Sequence, residues 1–510
     1  MEMFSESCRE LQNAYWASLD SKYTAMTTIA GEIKIRGNSE KRTASYIRQA
    51  DNANFPRRLK NRLRESGCET MELDQLSDWR RTHYSSMITP DLDQKQVTVF
   101  GWVEDIRDLG GLTFLSLRDR KGAVQITIPK KRVSNEVLDK VGKLGRQFSI
   151  GVRGKVQAKK EAPRGVEIFP EEIRILGSAS YPLPMDPTGR VPADIDVRLN
   201  ARILDLRREE CRSIFNIKNI VIGEVDNFLR QRGFIEVHTP KIIATATEGG
   251  ASLFPVEYFE NKAYLAQSPE LYKEALTSVF EKVYEIGLYF RAEESRTTRH
   301  LSEFISVDVE EAFADISDVM KLQEELTVRV IDQVRLLCEK ELKTLAVELR
   351  TPILPMRRYT YDQILKELDD VGQKIVWGED IPTIAYRELG NLHKGEFYFI
   401  TDWPTKVRPF YIKPKTDRPE LCDAFDFMYE WIEVTSGGTR VDSKDVYVAR
   451  LKEQGLDPTK FKFYLDNFDC GLPPHAGFGM GLDRFLMGLL NRENIKEVVL
   501  FPRDRFRLVP

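Results

Sequence analysis

The sequence lacks the paired cysteines of a disulfide-stapled or zinc-binding protein. Its six cysteines are scattered through 510 residues, and no two of them form a Cys-x-x-Cys pair. Such spacing argues against a zinc site or a disulfide framework and fits a reducing compartment. The N-terminus has no apolar signal-peptide core, and no apolar run approaches the roughly 18 residues of a membrane span. We therefore expect a cytoplasmic protein without a membrane segment.

An excess of charge of either sign is also lacking. The 76 Lys and Arg residues nearly balance the 79 Asp and Glu residues. The net charge therefore neither supports nor excludes RNA as a partner, and any polyanion would be bound by local patches. Neither a GxxxxGK[ST] phosphate loop nor a GxGxxG turn after a strand occurs. Their absence disfavours the two common nucleotide-binding folds.

Residues 1–75 show no clear periodicity and contain the basic stretch KRTASYIRQADNANFPRRLKNRLRESG. Their composition and terminal position favour a partly ordered or disordered, solvated extension. A basic arm that contacts RNA is the alternative.

Residues 76–180 contain five short β-rich runs, of which VTVFGWVEDIRD is the first and VEIFPEEIRIL the last. Tight turns such as DLGG and RKG separate the first three runs. Five such runs with tight turns predict a small closed barrel of the OB type. A helix over about 136–144 is expected between the third and fourth runs.

The proline-rich residues 181–205 are expected to form an extended linker or hinge. Residues 206–510 open with an amphipathic segment whose apolar residues recur at helical spacing and which Gly233 ends. Strands and helices then alternate irregularly, with a partly helical insertion around 312–400. This order predicts an α+β domain on a largely antiparallel sheet flanked by helices. Strong helices are expected near 267–280, 317–342 and 482–491.

A hairpin is expected around the segment YFRAEESRTTRHLSEF. Because strand side chains alternate between faces, Arg291 and Glu293 share one side of the first strand. One face of the return strand carries Phe304, Ser306, Asp308 and Glu310. Such a surface suits a phosphate, a flat base and an ammonium group, whereas cross-strand salt bridges on a solvated sheet are the alternative.

A glycine-rich strand lies near the C-terminus, with Gly477, Gly479 and Gly481 at every second position. Alternate glycines leave one strand face without Cβ atoms, so a planar ring can lie on the backbone. Arg484 follows at the start of a helix and can stack its guanidinium on that ring.

Three segments together resemble the signature motifs of class II aminoacyl-tRNA synthetases of subclass b, in order and spacing. They are GFIEVHTPKI, FRAEESRTTRHLSEF and GFGMGLDRFLMGLLNRENIKEVVLFPRDR. TATEGG, QSPELYK, SGGTR and the terminal FPRDRFRLVP further resemble the archaeal-type aspartyl-tRNA synthetases. The resemblance covers residues 80–510. It implies an ATP-dependent ligase that joins aspartate to tRNA through aspartyl-adenylate, without a protein nucleophile.

The resemblance implies an ATP site with magnesium as the cofactor. Arg291 would hold the α-phosphate, and Phe304 with Arg484 would sandwich adenine. Arg291, Glu293 and Arg484 would act in catalysis. Asp426 and Glu433, seven residues apart, would position Mg²⁺, an ion that prefers oxygen ligands. The ATP-binding set that the resemblance implies is Arg291, Glu293, Arg299, His300, Leu301, Phe304, Glu433, Gly481 and Arg484.

The resemblance also implies an aspartate site. Lys273 and Arg440 would bind the side-chain carboxylate, and Asp308 would take the α-ammonium group. Glu248 would belong to a loop that closes over the amino acid. The implied aspartate-binding set is Glu248, Glu270, Lys273, Asp308, Ser436 and Arg440.

The implied partners are ATP, L-aspartate, tRNA(Asp) and a second subunit, since Pro240 would lie at a homodimer interface. Arg107, Phe114 and Gln125 would contact the anticodon, although Phe114 could instead belong to the barrel core. Glu104 and Pro163 occupy the places that help to read the third anticodon base. Because proline offers no N–H donor or charge, we expect tRNA(Asn) to be charged as well. The alternative is that the Glu104 carboxylate, which can accept from a cytosine amino group, restricts charging to tRNA(Asp).

Two departures from the family pattern bear on the site. Glu270 stands where the family usually has glutamine, and its charge would weaken aspartate binding unless a cation such as Lys273 pairs with it. Glu430 and Trp431 stand where an arginine and a glycine are common. An asparaginyl-tRNA synthetase and an RNA-binding paralogue with an impaired catalytic domain are the alternative functions.

Overall fold

The computed structural model describes residues 71–245, 253–292 and 297–510, which belong to two compact units divided between Leu183 and Pro184. Five strands of the first unit close into a barrel in the order β1-β2-β3-β5-β4. They are β1 (Gln96–Asp108), β2 (Leu112–Asp119), β3 (Gly122–Pro129), β4 (Ser149–Ala158) and β5 (Val166–Gly177). Helix α1 (Asn135–Lys143) follows β3, and the Ser134 side chain caps its N-terminus. The predicted closed barrel is confirmed.

The barrel core comes from the alternation of its strands. Along β2, Leu115 and Leu117 are buried inside, whereas Phe114 and Ser116 lie on the outer face. Met71 packs against this core, and the Asp74 carboxylate accepts a hydrogen bond from the Ile175 N–H at 2.7 Å. Residues 71–75 therefore belong to the barrel unit, not to an extension as expected. Residues 1–70 lie outside the described residues.

The second unit begins within the expected linker. Two short helices, α2 (Ile195–Asn200) and α3 (Arg202–Asp205), replace its last part. The buried carboxylate of Asp205 stabilises these helices, because it pairs with Arg198 at 2.9 Å and with Arg202 at 2.6 Å. Helix α4 (Glu209–Gln231) follows, with Ile217, Val221 and other apolar residues buried along one side. Gly233 adopts a positive φ of 84° after it, so the predicted helix end is confirmed.

An eight-stranded sheet forms the centre of the second unit, in the order β12-β13-β14-β15-β16-β11-β10-β6. Its outer pairs β6–β10 and β12–β13 are parallel, and the inner pairs are antiparallel. The strands are β6 (Ile235–Glu236), β10 (Lys282–Phe290), β11 (Glu303–Ala312), β12 (Arg357–Thr360), β13 (Phe397–Pro404), β14 (Leu421–Tyr429), β15 (Ile432–Thr439) and β16 (His475–Gly481). A separate three-stranded sheet contains β7 (Ile242–Ile243), β8 (Pro255–Tyr258) and β9 (Asn261–Leu265).

Helices flank the large sheet. The expected helix over 317–342 is two helices, because the chain leaves helical geometry at the buried Cys338 (φ −121°, ψ 29°). The helix expected near 267–280 begins only after Pro269. The helices are α5 (Glu270–Phe280), α6 (Ile316–Leu337), α7 (Glu339–Leu345), α8 (Tyr361–Asp370), α9 (Thr383–Leu392), α10 (Lys444–Glu453), α11 (Lys462–Leu465) and α12 (Leu482–Leu489). None of these described helices combines the length and apolarity of a membrane span.

The sheet separates two hydrophobic cores. Phe425 and Phe427 of β14 pack into one core with α4, α6 and α12, whereas Ala424 and Met428 pack into the other with α8, α9 and α10. Successive strand residues point to opposite faces, which produces this division. Phe478 of β16 belongs to the first core, so the glycines of β16 face the other way.

Candidate active site and nucleic-acid interface

A cavity of about 240 Å³ in the second unit lies against β11, β15 and β16. Segments far apart in the chain converge on it, including the start of α5, the end of β10 and the start of α12. Twelve of the predicted site residues line it. They are Glu270, Arg291, Arg299, His300, Leu301, Phe304, Asp308, Glu433, Ser436, Arg440, Gly481 and Arg484.

The β10–β11 hairpin runs along this cavity. It closes as an antiparallel pair, with Tyr289 opposite Phe304 and Gly287 opposite Ser306. Phe304, Ser306 and Asp308 follow one another along the cavity wall. At about 3.3 Å per residue, Phe304 and Asp308 are about 13 Å apart. The cavity therefore has two distinct regions along β11.

The arginine region consists of Arg291, Arg299 and Arg484 with Phe304. The Arg291 guanidinium carbon is 5.4 Å from the centroid of the Phe304 ring. Arg484 contacts Glu433 at 3.2 Å, and Arg299 donates to the Thr383 hydroxyl at 2.8 Å. Three guanidinium groups beside an aromatic ring can bind a polyphosphate and a flat base together.

His300 adds a neutral side chain to this region. Its burial, with the positive charges of Arg484 and Arg299, lowers the pKa of the imidazole to about 4. At neutral pH it therefore carries no charge and can donate or accept a hydrogen bond without adding to the cationic field.

The carboxylate region consists of Glu270, Lys273, Asp308, Glu310 and Arg440. Lys273 Nζ lies 2.9 Å from Glu270, 3.3 Å from Asp308 and 3.4 Å from Glu310. Arg440 donates to both Glu310 oxygens at 2.9 and 3.0 Å and contacts Glu270 at 2.7 Å. All five side chains are almost fully buried.

Charge pairing keeps this buried cluster ionised. Burial opposes the charge on Lys273, but Glu270, Asp308 and Glu310 raise its pKa above the usual value. Burial also opposes ionisation of Glu270, yet Arg440 and Lys273 lower its pKa. Asp308 differs, because burial raises its pKa to about 6 despite the nearby Lys273.

Several buried polar atoms in this part of the cavity lack a hydrogen-bond partner among the described residues. Gln267 is 1% exposed, and neither its amide nitrogen nor its amide oxygen is bonded. The Asp308 Oδ2 atom is also unbonded. Because buried polar groups are normally hydrogen-bonded, these atoms are suited to meet the polar groups of a ligand.

A magnesium ion bound to ATP usually takes one or two carboxylates plus phosphate oxygens. Glu433 fits this role, because it lines the cavity and the arginines lower its pKa although burial opposes ionisation. Asp426 fits poorly, since both its oxygens accept from Arg408, at 3.1 and 2.5 Å. No group of three or more His, Cys, Asp or Glu among the described residues could hold a metal.

A second cavity, of about 430 Å³, lies on the outer face of the barrel. Arg107, Phe114, Gln125 and Pro163 line it together. Phe114 is half-buried there and is not part of the barrel core. Gln125 donates to Glu167 at 3.0 Å, and Arg107 pairs with Asp105 at 3.1 Å. An aromatic ring among polar groups on an OB-type barrel suits stacking with a nucleic-acid base.

Comparisons with known proteins match both units. Residues 194–505 match the family model of tRNA synthetases class II (D, K and N), and residues 97–176 match the OB-fold nucleic acid binding domain. The chain belongs to the class II tRNA synthetases.

This synthetase aligns with its relatives over nearly the whole of their length. The aspartate–tRNA(Asp/Asn) ligase of Methanopyrus kandleri is 52% identical over 429 residues, covering 84% of this chain and 99% of that protein. The aspartate–tRNA(Asp) ligase of Pyrococcus abyssi is 50% identical over 436 residues, covering 84% and 100%. The crystal structure of asparaginyl-tRNA synthetase from Pyrococcus horikoshii with asparaginyl-adenylate is 34% identical, with a TM-score of 0.80 and coverage of 84% and 100%.

The other predicted site residues of this synthetase that the structure describes do not line the two cavities. Lys273 and Asp426 lie behind the cavity wall, each 1% exposed. Glu104 lies outside the barrel cavity, where Arg118 and the Ser116 hydroxyl bind its carboxylate. Pro240 is exposed after β6. Glu248 and Glu293 lie outside the described residues.

The alternate glycines of β16 have a role that differs in part from the expected one. Gly479 and Gly481 line the cavity, as a ring lying on the backbone requires. At Gly477, however, a Cβ atom would come within 2.0 Å of Glu310 Oε2 and 2.2 Å of the Val309 carbonyl. Gly477 therefore makes room for the carboxylate that binds Arg440.

Sequence reasoning missed Gln267, and it did not give Glu310 a site role. Gln267 begins the QSPELYK segment that supplied Glu270 and Lys273, so its neighbours were a usable signal. Glu310 was placed on the hairpin face but not connected to Arg440, which lies 130 residues away. Arg408 had no sequence signal, because its role depends on contact with β14.

Proposed function

We propose that this synthetase is an aspartate–tRNA ligase, which activates L-aspartate with ATP and transfers it to the 3′ end of tRNA(Asp). The observation that supports it is the pair of regions in one cavity. Three arginines share one region with the Phe304 ring, and two buried cations belong to the cluster that contains Asp308, about 13 Å along β11. An adenylate has its base and phosphate on one side and its amino acid on the other, so this spacing suits it.

In the first step, an oxygen of the aspartate α-carboxylate attacks the α-phosphorus of ATP, and the bond to the leaving pyrophosphate breaks. The Arg291 guanidinium offsets the negative charge that grows on the phosphoryl oxygens. Phe304 and Arg484 hold the adenine, and the Asp308 carboxylate accepts hydrogen bonds from the α-ammonium group. Positioning and charge therefore supply the catalysis, without a protein nucleophile.

Glu433 would hold Mg²⁺ together with phosphate oxygens, and the ion would neutralise part of the phosphate charge. Asp426 would contribute only if Arg408 released its carboxylate.

In the second step, a hydroxyl of the terminal ribose attacks the activated carbonyl, and AMP leaves. Phe114 of the barrel cavity would stack on an anticodon base, with Arg107 and Gln125 beside it. The loop that presents Pro163 is held by Arg164, which donates to the Ser85 carbonyl at 2.9 Å and the Ile88 carbonyl at 2.7 Å. Since Pro163 brings no donor, we propose that tRNA(Asn) is charged too.

The active form would be a cytoplasmic homodimer. Pro240 is exposed, and Ile235 and Ile242 on either side of it in the chain are 45% and 49% exposed, so apolar side chains near it in the sequence would be available to a second subunit.

Aspartate-dependent exchange of radioactive pyrophosphate into ATP tests the first step directly. We expect exchange with aspartate that requires Mg²⁺ and is lost in Arg291→Ala. Folded wild-type protein that gives no exchange with aspartate would overturn the proposal and leave the chain as an impaired paralogue or a ligase for another amino acid.

A further inference from the structure

The carboxylate region contains more negative than positive groups. Two cations, Lys273 and Arg440, face three carboxylates, those of Glu270, Asp308 and Glu310. The carboxylates outnumber the cations by one. Side chains of the protein alone therefore balance the charge of both cations.

Glu270 is placed differently from the other two carboxylates. One of its oxygens contacts Lys273 at 2.9 Å and the other contacts Arg440 at 2.7 Å, so it bridges both cations. Unlike Glu310, it also lines the cavity. A ligand carboxylate that approaches these two cations meets the Glu270 carboxylate at the same donors.

A further buried acid lies one helical turn after Glu270 on α5. The next buried acid on α5, Glu274, contacts the Tyr464 hydroxyl and lies 3.7 Å from His475 Nε2. Burial and the nearby Glu270 charge raise the pKa of Glu274, although His475 opposes this. The charge on Glu270 therefore makes a second carboxylate beside it harder to ionise.

We propose that Glu270 is a specificity-determining residue that competes with the side-chain carboxylate of the substrate for Lys273 and Arg440. This proposal rests on the proposed function. Glu270 raises the KM for aspartate and reduces the preference for aspartate over asparagine. An asparagine amide does not suffer the same competition, because its NH₂ group can donate to the Glu270 carboxylate.

The variant Glu270→Gln keeps the side-chain shape and removes the charge. Amino-acid-dependent pyrophosphate exchange should show an aspartate KM at least about tenfold lower, with kcat and the ATP KM within about twofold, because ground-state binding alone has changed. The ratio of kcat/KM for aspartate to that for asparagine should rise by at least the same factor. Glu311→Gln is the matched control, since Glu311 pairs with Lys282 at 2.6 Å outside the cavity.

Titration calorimetry of aspartate gives an answer that does not depend on turnover. We expect a lower Kd in folded Glu270→Gln than in the wild type and no change in Glu311→Gln. An active Glu270→Gln variant with an unchanged or higher aspartate KM would overturn this proposal and leave aspartate activation standing. If neither the wild type nor the two variants support exchange with aspartate, the proposed function fails, and the calorimetric Kd alone decides the role of Glu270. Tighter binding of aspartate by Glu270→Gln than by the wild type would then support that role, and equal binding would refute it.

Discussion

Lys273 and Arg440 are cations that the protein keeps almost entirely out of water. Charges of this kind persist in a protein interior only when they are paired and hydrogen-bonded. The carboxylates of Glu270, Asp308 and Glu310 provide that pairing. The same residues thus maintain the folded cluster and, under the proposed function, would contact the substrate.

Replacing Lys273 by Leu should reduce aspartate activation by two to three orders of magnitude. Removing one partner from a buried ionic cluster leaves the others uncompensated, at a cost of about 3–5 kcal/mol. Pyrophosphate exchange at varied aspartate measures the loss, and the thermal midpoint reports the fall in stability. Lys282→Leu, which alters a partly exposed pair on β10, is the control. Near-normal aspartate kinetics in Lys273→Leu would show that the residue is wrongly assigned.

The pH dependence of aspartate use should report the ionisation of Asp308. Burial raises its pKa to about 6. Above that pH the carboxylate is charged and can bind the α-ammonium group, whereas below it the protonated form cannot. The kcat/KM for aspartate should therefore be constant above pH 7 and fall below about pH 6.

The kcat/KM for ATP at saturating aspartate is the internal control for this profile. Titration of His300 should leave it unchanged from pH 5 to 8, because the pKa of that side chain is only about 4, whereas a fall near pH 6 would report Asp426, whose pKa burial raises to about 6. A fall in the aspartate profile alone reports Asp308, and an aspartate profile that is flat across pH 6 would mean that Asp308 does not bind the ammonium group.

At this scale the sequence located residues that belong to contiguous motifs, such as Arg291, Phe304 and Asp308. It could not predict pairings between distant segments. Glu270 bridges two cations because α5, β11 and the end of β15 come together, and no local pattern specifies that meeting. The Arg408–Asp426 pair is of the same kind, and it changes the expected magnesium ligands.

Strand β16 shows how one element ties stability to the site. Gly477→Ala should lower the thermal midpoint by several degrees and weaken aspartate activation, since the new Cβ would collide with Glu310 and the Val309 backbone. Overpacking of this kind costs about 1–3 kcal/mol.

Gly223→Ala in α4 is the matched control, because a Cβ there meets nothing within 4 Å. It should leave activity intact and, by helix propensity, raise the midpoint slightly. If Gly477→Ala behaved like Gly223→Ala in both measurements, the role given to Gly477 would be wrong.

Phe114 on β2 should matter to tRNA and not to adenylate formation. Because base stacking contributes about 1–3 kcal/mol, Phe114→Ala should raise the tRNA KM by about 5- to 150-fold. Pyrophosphate exchange should be unaffected. Trp102→Ala, at a 38% exposed position on β1, serves as the control. A loss of exchange in Phe114→Ala, or no change in the tRNA KM, would contradict the assignment.

Elements with strong periodicity were predictable from sequence. The five barrel strands and helix α4 are of this kind, because alternation or helical spacing runs through their whole length. The break at Cys338 and the two-residue strands β6 and β7 were not, since they depend on tertiary packing rather than on local pattern.

At the scale of the whole molecule, the relatives are named as ligases of two different tRNA specificities. Similar proteins are named as ligases for tRNA(Asp/Asn) and as ligases for tRNA(Asp), at 52% and 50% identity respectively. Similarity of this degree therefore does not decide which tRNAs are accepted. Pro163 lines the barrel cavity and Glu104 does not, so of these two residues only the one without a donor would meet a base bound there.

We expect charging of transcripts of tRNA(Asp) and tRNA(Asn) to differ by less than about a hundredfold in kcat/KM, since a single base contact usually gives no more. Parallel aminoacylation assays with labelled aspartate measure the ratio. A larger preference for tRNA(Asp) would show that the enzyme discriminates and would leave the aspartate chemistry untouched.

The identity of the amino acid that the intact chain loads onto bulk tRNA tests the account most directly. The purified protein is incubated with ATP, Mg²⁺, deacylated bulk tRNA and all twenty amino acids, and the esterified amino acid is released and identified by mass spectrometry. The account predicts aspartate, with an initial rate of loading about two to three orders of magnitude lower in Lys273→Leu. Asparagine as the sole product, or no ester from folded protein, would contradict it.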